Sequence, residues 1–570
     1  MGLCLCKRRR RNSGGSTPSV RTSPARAPSE GMWRRASNER ESLHSEVSSP
    51  FFYGSDRLAV TVASDVKELI KQILLLIRSL VSNDQEPPTP LLKLNLIADK
   101  EGGWVLVVIC LIEAVPAEDA LGPAVITLFL DEGPLPTNET VSRLIARLRL
   151  DEPELQVSSV WHRNTCIVLG CLAEKLAGAS SVHICTNTTL NYLLDNLKPD
   201  RHTEVIIYAL IALEKFAQTS ENRLTICRRL EKYVENPLMI LESWLESSSI
   251  KNDFLKQQVA FCAQWSLDNI FVCEKREFSY RKRDVTNINA MLNHEDVSEY
   301  LKIGSDGLEA RCDVSSFESV RCTFEATEGV WFYEALILTP GVMQIGFATK
   351  QSRFCNHEGF GIGDDECSIA YDGCRQLIWH NAQCQKHEHE PWKAGDYLGC
   401  LLDITSGYVQ FYLNGCALQV PHREFMERHA ANKETGFFAA ASFMSFQQCR
   451  FNFGTEPFRY PPSSIEFKTF NDYGCLSEEQ KTILPRRRKM ELLSEISIPD
   501  DSCHICYSSS IDTVLKPCGH SGLCFSCSEQ LELCPLCRVH IVERCRIAKR
   551  LSLAEQRKTS WGAKRLDTLV

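Results

Sequence analysis

The sequence predicts a multidomain fold: a disordered N-terminal tail, an all-α helical-repeat-like domain, an all-β sandwich and a small metal-stabilised module near the carboxyl end. Three observations predict it. Apolar residues recur at helical spacing from about Asp56 to Val272. Short alternating segments broken by Gly, Asp and Asn follow from about Val297 to Phe467. Seven cysteines and two histidines, His504 and His520, then fall within 35 residues, Cys503 to Cys537. A chain of 570 residues has room for about three or four domains.

Composition narrows the function classes. The apolar fraction of 44% and charged fraction of 24% are those of ordinary globular protein. A net charge of −8 argues against nucleic-acid binding, which needs a basic surface. The longest apolar run, Trp104–Ile112, falls short of the roughly 18 residues of a membrane span. Cysteine is abundant at 27, yet outside the terminal cluster the thiols are scattered singly, as at Cys171, Cys262, Cys400 and Cys449. Buried free thiols in a reducing, cytoplasmic compartment account for that scatter.

The tail covers residues 1–56. It opens Met1-Gly2-Leu3-Cys4-Leu5-Cys6, followed by consecutive cations from Lys7 to Arg11. Gly2, once Met1 is removed, is where myristate attaches, and Cys4 and Cys6 offer thiols to palmitate. Cys6 stands where Ser or Thr is usual. One acyl chain holds a membrane only marginally, so a second chain or a basic patch is needed; both are present here. The segment predicts a lipid anchor at a membrane surface, with a plain basic tail or import signal as the alternative. The Ser-, Pro-, Arg- and Gly-rich stretch that follows has too little apolar surface to offset ordering entropy.

The helical domain is expected over 57–290. Leu69, Ile70, Ile73, Leu76, Ile77 and Leu80 mark one face of a helix. Further helices are expected at 104–114, 138–148, 164–177, 190–197, 203–218 and 255–269, with Asn138 and Thr203 as N-caps. Glu174-Lys175-Leu176-Ala177 is echoed about forty residues later by Glu214-Lys215-Phe216-Ala217. That is the period of HEAT and armadillo repeats, so a short stack of that kind is expected.

The sandwich is expected over 297–480. Segments 330–337, 343–348, 397–403 and 409–413 alternate like strands. Asn414-Gly415 after the last is a hairpin turn, because both residues tolerate positive φ. Regular short strands with such turns give a β-sandwich. Residues 481–502 read as a linker helix with a basic start, Pro485 to Lys489, and residues 539–570 as a basic tail.

The cluster reads Cys503-His-Ile-Cys506, then Cys518-Gly-His520, Cys524-Phe-Ser-Cys527 and Cys534-Pro-Leu-Cys537. Zinc takes four N/S ligands in a tetrahedron, so eight ligands fit two closed structural sites. A two-residue gap lets one tight turn present both sulfurs to one ion. Spacing alone leaves open whether the pairs bind in sequence or interleaved.

The pattern resembles a C3HC4 RING finger over residues 503–538, and RING fingers interleave. The resemblance implies one zinc on Cys503, Cys506, Cys524 and Cys527, and a second on Cys518, His520, Cys534 and Cys537. The upstream strings GVWFYEALI, GVMQIGFAT, GFGIGDDECSIAYDG, GDYLGCLLDI, VQFYLNG, FFAAASF and FNFGTEPFRYPP occur in the order of a SPRY domain. By that resemblance a rigid sandwich displays loops that capture a partner protein. The loops at 356–360, 371–375 and 442–446 are the candidates, with Tyr371, Met444 and Phe446 as substrate anchors.

The whole order is similar to the RING finger and SPRY domain-containing protein family. It implies an E3 ubiquitin-protein ligase that holds a ubiquitin-charged E2 conjugating enzyme while the SPRY domain recruits a protein substrate. Ile505 and Pro535 match the E2-contact positions. Arg538 matches the residue that hydrogen-bonds both E2 and ubiquitin, work suited to a planar two-acceptor fork. The ligand spacing also resembles that of inhibitor-of-apoptosis proteins, which implies a homodimer through Val539-His540-Ile541-Val542. A non-catalytic adaptor with a structural RING is the second reading.

Overall fold

The computed structural model describes residues 56–79, 88–151, 158–247, 250, 252–274, 276–354, 359–418, 422–429, 435–495, 501–507 and 509–546. The chain divides into two compact units at residue 484, with the helical and β regions in the first and the cysteine cluster in the second.

Helices α1 (Asp56–Ser79), α2 (Thr89–Ala98), α3 (Gly103–Ala114), α4 (Gly122–Glu132), α5 (Asn138–Leu148) and α6 (Ser159–Leu176) open the first unit. They are followed by α7 (Gly178–Ile184), α8 (Asn187–Asp195), α9 (Thr203–Phe216), α10 (Ser220–Leu230), α11 (Pro237–Glu242) and α12 (Phe254–Asn269). The expected caps shift by one residue. Thr137, not Asn138, caps α5: its backbone is extended, and its hydroxyl accepts from the Thr140 N–H at 3.2 Å. Thr203 is the first helical residue of α9, and the preceding His202 makes no side-chain cap bond.

The repeated Glu-Lys segments touch each other. Lys215 of α9 donates to the Glu174 carboxylate of α6. Lys175 in turn donates to the Asp131 and Gly133 carbonyls, each at 3.0 Å, at the end of α4. A cation there meets carbonyls left unpaired by the helix terminus. Gly170 lets α6 and α9 approach, since a Cβ there would lie 3.2 Å from the Ala212 Cα.

Strands β1 (Leu292–Val297), β2 (Lys302–Ile303), β3 (Glu309–Cys312), β4 (Glu318–Cys322), β5 (Val330–Ile337) and β6 (Met343–Thr349) begin the sandwich. Next come β7 (Ser368–Asp372), β8 (Leu377–His380), β9 (Gln383–Lys386), β10 (Tyr397–Asp403), β11 (Tyr408–Leu413) and β12 (Cys416–Ala417). β13 (Phe437–Phe443), β14 (Gln447–Asn452) and β15 (Lys468–Thr469) complete it. One sheet runs β1-β4-β13-β6-β7-β8-β9; the other runs β12-β11-β10-β5-β14-β3-β2, with β15 parallel to β5. Asn414 and Gly415 both take positive φ, 50° and 81°, and close the β11–β12 hairpin as the sequence predicts. Tyr333, Phe347, Phe411, Phe451 and Phe453 fill the space between the sheets, and the Tyr333 hydroxyl donates to the Gly346 carbonyl at 2.7 Å. Cys171, Cys262, Cys400 and Cys449 are buried, unpaired thiols.

The helical region and the sandwich share a charged, buried seam. Lys302 of β2 binds Asp313 at 2.7 Å and also the Glu214 carboxylate of α9, while its ammonium lies 4.7 Å from the Trp265 ring centre. Arg311 binds Asp313 at 2.8 Å and donates to Gln258 of α12 at 3.2 Å; Gln258 donates onward to the Leu338 carbonyl at 3.0 Å. Burial pushes the Glu214 carboxyl up, even with Lys302 beside it. Burial also acts upward on Asp313, but Arg311 and Lys302 outweigh it and hold that carboxyl below its ordinary value.

Candidate metal centre and docking surface

The second unit has very little apolar core: Cys503, Leu515, Leu523, Cys524, Cys534 and Ile541 are its buried residues of hydrophobic type. β16 (Thr513–Lys516) lies between β17 (Ser521–Leu523) and β18 (Glu543–Arg546) in an antiparallel sheet, with a short helix at Phe525–Glu529. Residues 539–546, expected as tail, belong to this module. Ile541 enters the core, and Arg544 donates to the carbonyls of Ser528 at 2.8 Å and Leu531 at 2.6 Å. Arg546 stacks 4.1 Å from the Phe525 ring centre.

The eight ligand side chains converge in two groups. Cys503, Cys506, Cys524 and Cys527 form one; Cys518, His520, Cys534 and Cys537 form the other. Within each group the ligand atoms all lie within 4.8 Å of one another. A tetrahedral zinc with Zn–S of about 2.3 Å and Zn–N of about 2.0–2.1 Å needs S···S near about 3.8 Å and S···N near about 3.5 Å. Cys506 Sγ and Cys524 Sγ are 3.9 Å apart, and Cys534 Sγ and His520 Nδ1 are 3.5 Å apart. The donor set therefore fits zinc, and the pairing is the interleaved one. Burial acts upward on the Cys534 thiol, but the backbone N–H groups of Cys537 and Leu536 outweigh it and hold it down at about 6, favouring the thiolate a metal needs.

Two tight turns carry the exposed side chains. Cys503-His-Ile-Cys506-Tyr507 and Cys534-Pro-Leu-Cys537-Arg538 share one geometry. In each, the fifth residue takes positive φ, 54° at Tyr507 and 58° at Arg538. Its N–H donates to the carbonyl of the first cysteine, at 2.9 Å from Tyr507 to Cys503 and 2.7 Å from Arg538 to Cys534. That conformation costs a non-glycine residue roughly 1–3 kcal/mol. Ile505 is 46% exposed and Leu536 63% exposed; Pro535 and Arg538 are exposed too. Tyr507 and Leu536 were not singled out by sequence, although the repeated Cys-x-x-Cys-x spacing was there to align them.

The SPRY domain family model matches residues 330–456, and the C3HC4 zinc finger (RING finger) model matches residues 499–544. The chain joins a SPRY domain to a C3HC4 RING finger. That is the domain combination of the family its sequence resembles. The chain is similar to the E3 ubiquitin-protein ligase RKP of Arabidopsis thaliana, 34% identical over 150 residues, which cover 26% of this chain and 11% of that protein. It thus spans about a tenth of the length of that curated relative. Among solved structures it is similar to the SPRY domain of human HERC1, with TM-score 0.23 and 16% identity over 28% of this chain and 96% of that one. It is also similar to the TRIM65 PSpry domain, with TM-score 0.24 and 15% identity over 29% of this chain and 89% of that one.

The SPRY residues expected to anchor a substrate lie inside the first unit. Tyr371 is fully buried, packed between Trp392 and Phe411 in the sandwich core. Met444 and Phe446 are each 5% exposed and join the core of the helical region. The Phe446 ring meets Tyr208 of α9 edge-on at 5.2 Å, and the Lys215 ammonium lies 5.9 Å from its centre. The 442–446 loop is covered by the chain's own helices, so these three side chains present no surface to a partner. Periodicity marks a residue as apolar but does not say which neighbouring domain will cover it. Gly2, Cys4 and Cys6 lie outside the described residues, as do 356–358 of the first candidate loop.

Proposed function

We propose that this chain is a RING-type E3 ubiquitin-protein ligase. The carrying observation is a pair of closed four-ligand clusters whose turns leave Ile505, Pro535 and Arg538 exposed together on the module that holds them. The RING offers no nucleophile in this role. It holds a ubiquitin-charged E2 and favours the conformer in which a substrate lysine reaches the thioester, so the gain is orientation and population shift. Two zinc ions are expected per chain. Each would be bound by four protein ligands, and its contribution is structural.

The SPRY domain recruits the protein substrate in this reading, acting as one body with the helical region that covers its 442–446 loop. A homodimer through the exposed Val539 and Val542, and membrane attachment through acylation at Gly2, Cys4 and Cys6, complete the proposal. They are tested by solution mass and by membrane release of Gly2→Ala.

Full-length protein incubated with E1, an E2 panel, ubiquitin and ATP should build ubiquitin chains, and Arg538→Ala should slow this at least about tenfold while leaving the zinc content unchanged. Folded, zinc-loaded protein that forms no chains with any E2 would reject the ligase reading in favour of an adaptor.

A further inference from the structure

We propose that the helical region carries a recruitment site of its own, a cleft between α6 and α8 that takes the free carboxyl end of a substrate protein; its part in recruitment rests on the ligase reading above. The cleft has a volume of about 220 Å³ and is lined by residues of α6, of α8 and of the segments that follow α5 and α8. Drug-sized ligands fill roughly 300–1,000 Å³, so this space suits about one or two residues of a chain. A chain end enters such a space from one side, whereas the middle of a chain needs an exit as well.

The polar groups of the lining favour a carboxylate. Asp195 is already paired with Lys198 at 2.8 Å. The Asn191 Oδ1 accepts from Arg229 at 2.9 Å, which leaves the Asn191 amide NH2 to donate. The His162 Nδ1 and the Tyr192 hydroxyl lie 2.8 Å apart and satisfy each other. Burial, then the nearby Arg201 charge, lowers the pKa of the His162 ring and keeps it neutral near pH 7. Arg201 and Asp151 are exposed, and among the described residues neither side chain has a hydrogen-bond or ion-pair partner.

The groups still open to a ligand are therefore a guanidinium and an amide NH2 against a single unpaired carboxylate. A guanidinium fork matches the two oxygens of a carboxylate, and charge-assisted bonds of this kind are the strong ones. Arg201 and Asn191 take the terminal carboxylate in this arrangement. Asp151 takes a donor upstream of it, an amide N–H or a Lys or Arg side chain. An internal Asp or Glu offers the same carboxylate chemistry, so the test must separate the two sources.

Full-length protein is titrated with short fluorescent peptides of varied C-terminal sequence. Each is made as the free acid, as the C-terminal amide, and as an amide with an internal Asp or Glu. Some free acids should bind, and their amides should bind at least about tenfold more weakly, with or without the internal acid. Arg201→Gln should weaken those free acids about tenfold at an unchanged unfolding temperature. Asp151→Asn should weaken peptides with an upstream Lys or Arg more than those without. Free acids and amides that bind alike, internal acids that substitute fully for the free end, or an Arg201→Gln protein that binds as wild type does would each overturn the proposal, as would a peptide set in which nothing binds. Binding is read without E2, ubiquitin or ATP. Its failure leaves chain formation by the RING as it was, and a protein that builds no chains yet prefers free acids loses the ligase reading and keeps the cleft.

Discussion

Lys302 of the sandwich and Glu214 of helix α9 are joined by an ion pair in which both side chains are only 6% exposed. Asp313 holds the same ammonium from the other side, and Arg311 holds Asp313. Buried charges are costly to desolvate, so such a group contributes less to net stability than to fixing one arrangement of its surroundings. Here it fixes the register between the helices and the SPRY domain, with Gln258 and Phe446 closing the seam beside it.

Removing one partner from that group should be severe. Lys302→Met strands Glu214 with its carboxylate buried, and about 3–5 kcal/mol of stability should be lost. The double variant Glu214→Leu with Lys302→Met removes both charges and should recover a large part of that loss. Urea unfolding of the four proteins gives the coupling energy. Additive effects would show that the two side chains do not interact.

Phe446 separates a packing role from a binding role. Its ring sits between the domains against Tyr208, so Phe446→Ala should cost about 3–5 kcal/mol, through lost transfer energy and a cavity. The urea midpoint should fall with no change in slope. An unchanged midpoint would mean that the ring is not packed as described.

The elements were more legible than their mutual packing. Strands β5 and β10 and helix α5 fall on their expected bounds, because two-residue and 3.6-residue periods are written directly into 330–337, 397–403 and 138–148. The zinc ligands were legible for a different reason: metal chemistry constrains residue type and spacing together. Three kinds of fact were not written locally. Arg544 and Ile541 join the RING across its sheet, so the module runs past its last metal-binding cysteine, Cys537. Met444 and Phe446 look like exposed loop anchors until α9 is seen covering them. The positive φ of Tyr507 follows from the turn that both cysteines impose, not from anything in a tyrosine.

His422 should make the first unit acid-sensitive. Burial, then the neighbouring His380, lower its pKa to about 4, below the ordinary histidine value of about 6.5. Between those values the unfolded chain binds more protons than the folded one, so stability falls as pH is lowered from about 6.5 towards 4. Carboxylates add their own acid sensitivity, so the informative quantity is the difference between wild type and His422→Gln. That difference should shrink wild type's relative stability across this window and stay level above pH 7. A difference that does not vary with pH would show that His422 titrates normally.

Zinc removal should unfold one module and spare the rest. Among the described residues the RING core has six buried residues of hydrophobic type; three of them, Cys503, Cys524 and Cys534, are metal-binding thiols, and none is a large aromatic. A structural zinc contributes on the order of 10–16 kcal/mol, comparable to or above the whole stability of an ordinary domain, roughly 5–15 kcal/mol. Chelation should therefore release two ions per chain and bring amide exchange in 501–546 close to the unfolded rate. The strands between 292 and 469 draw their stability from the aromatic core around Tyr333 and should keep their protection. Native mass spectrometry counts the ions and hydrogen exchange locates the loss. Protection that persists across β16 and β18 after both ions are gone would mean that the apolar residues alone hold this module.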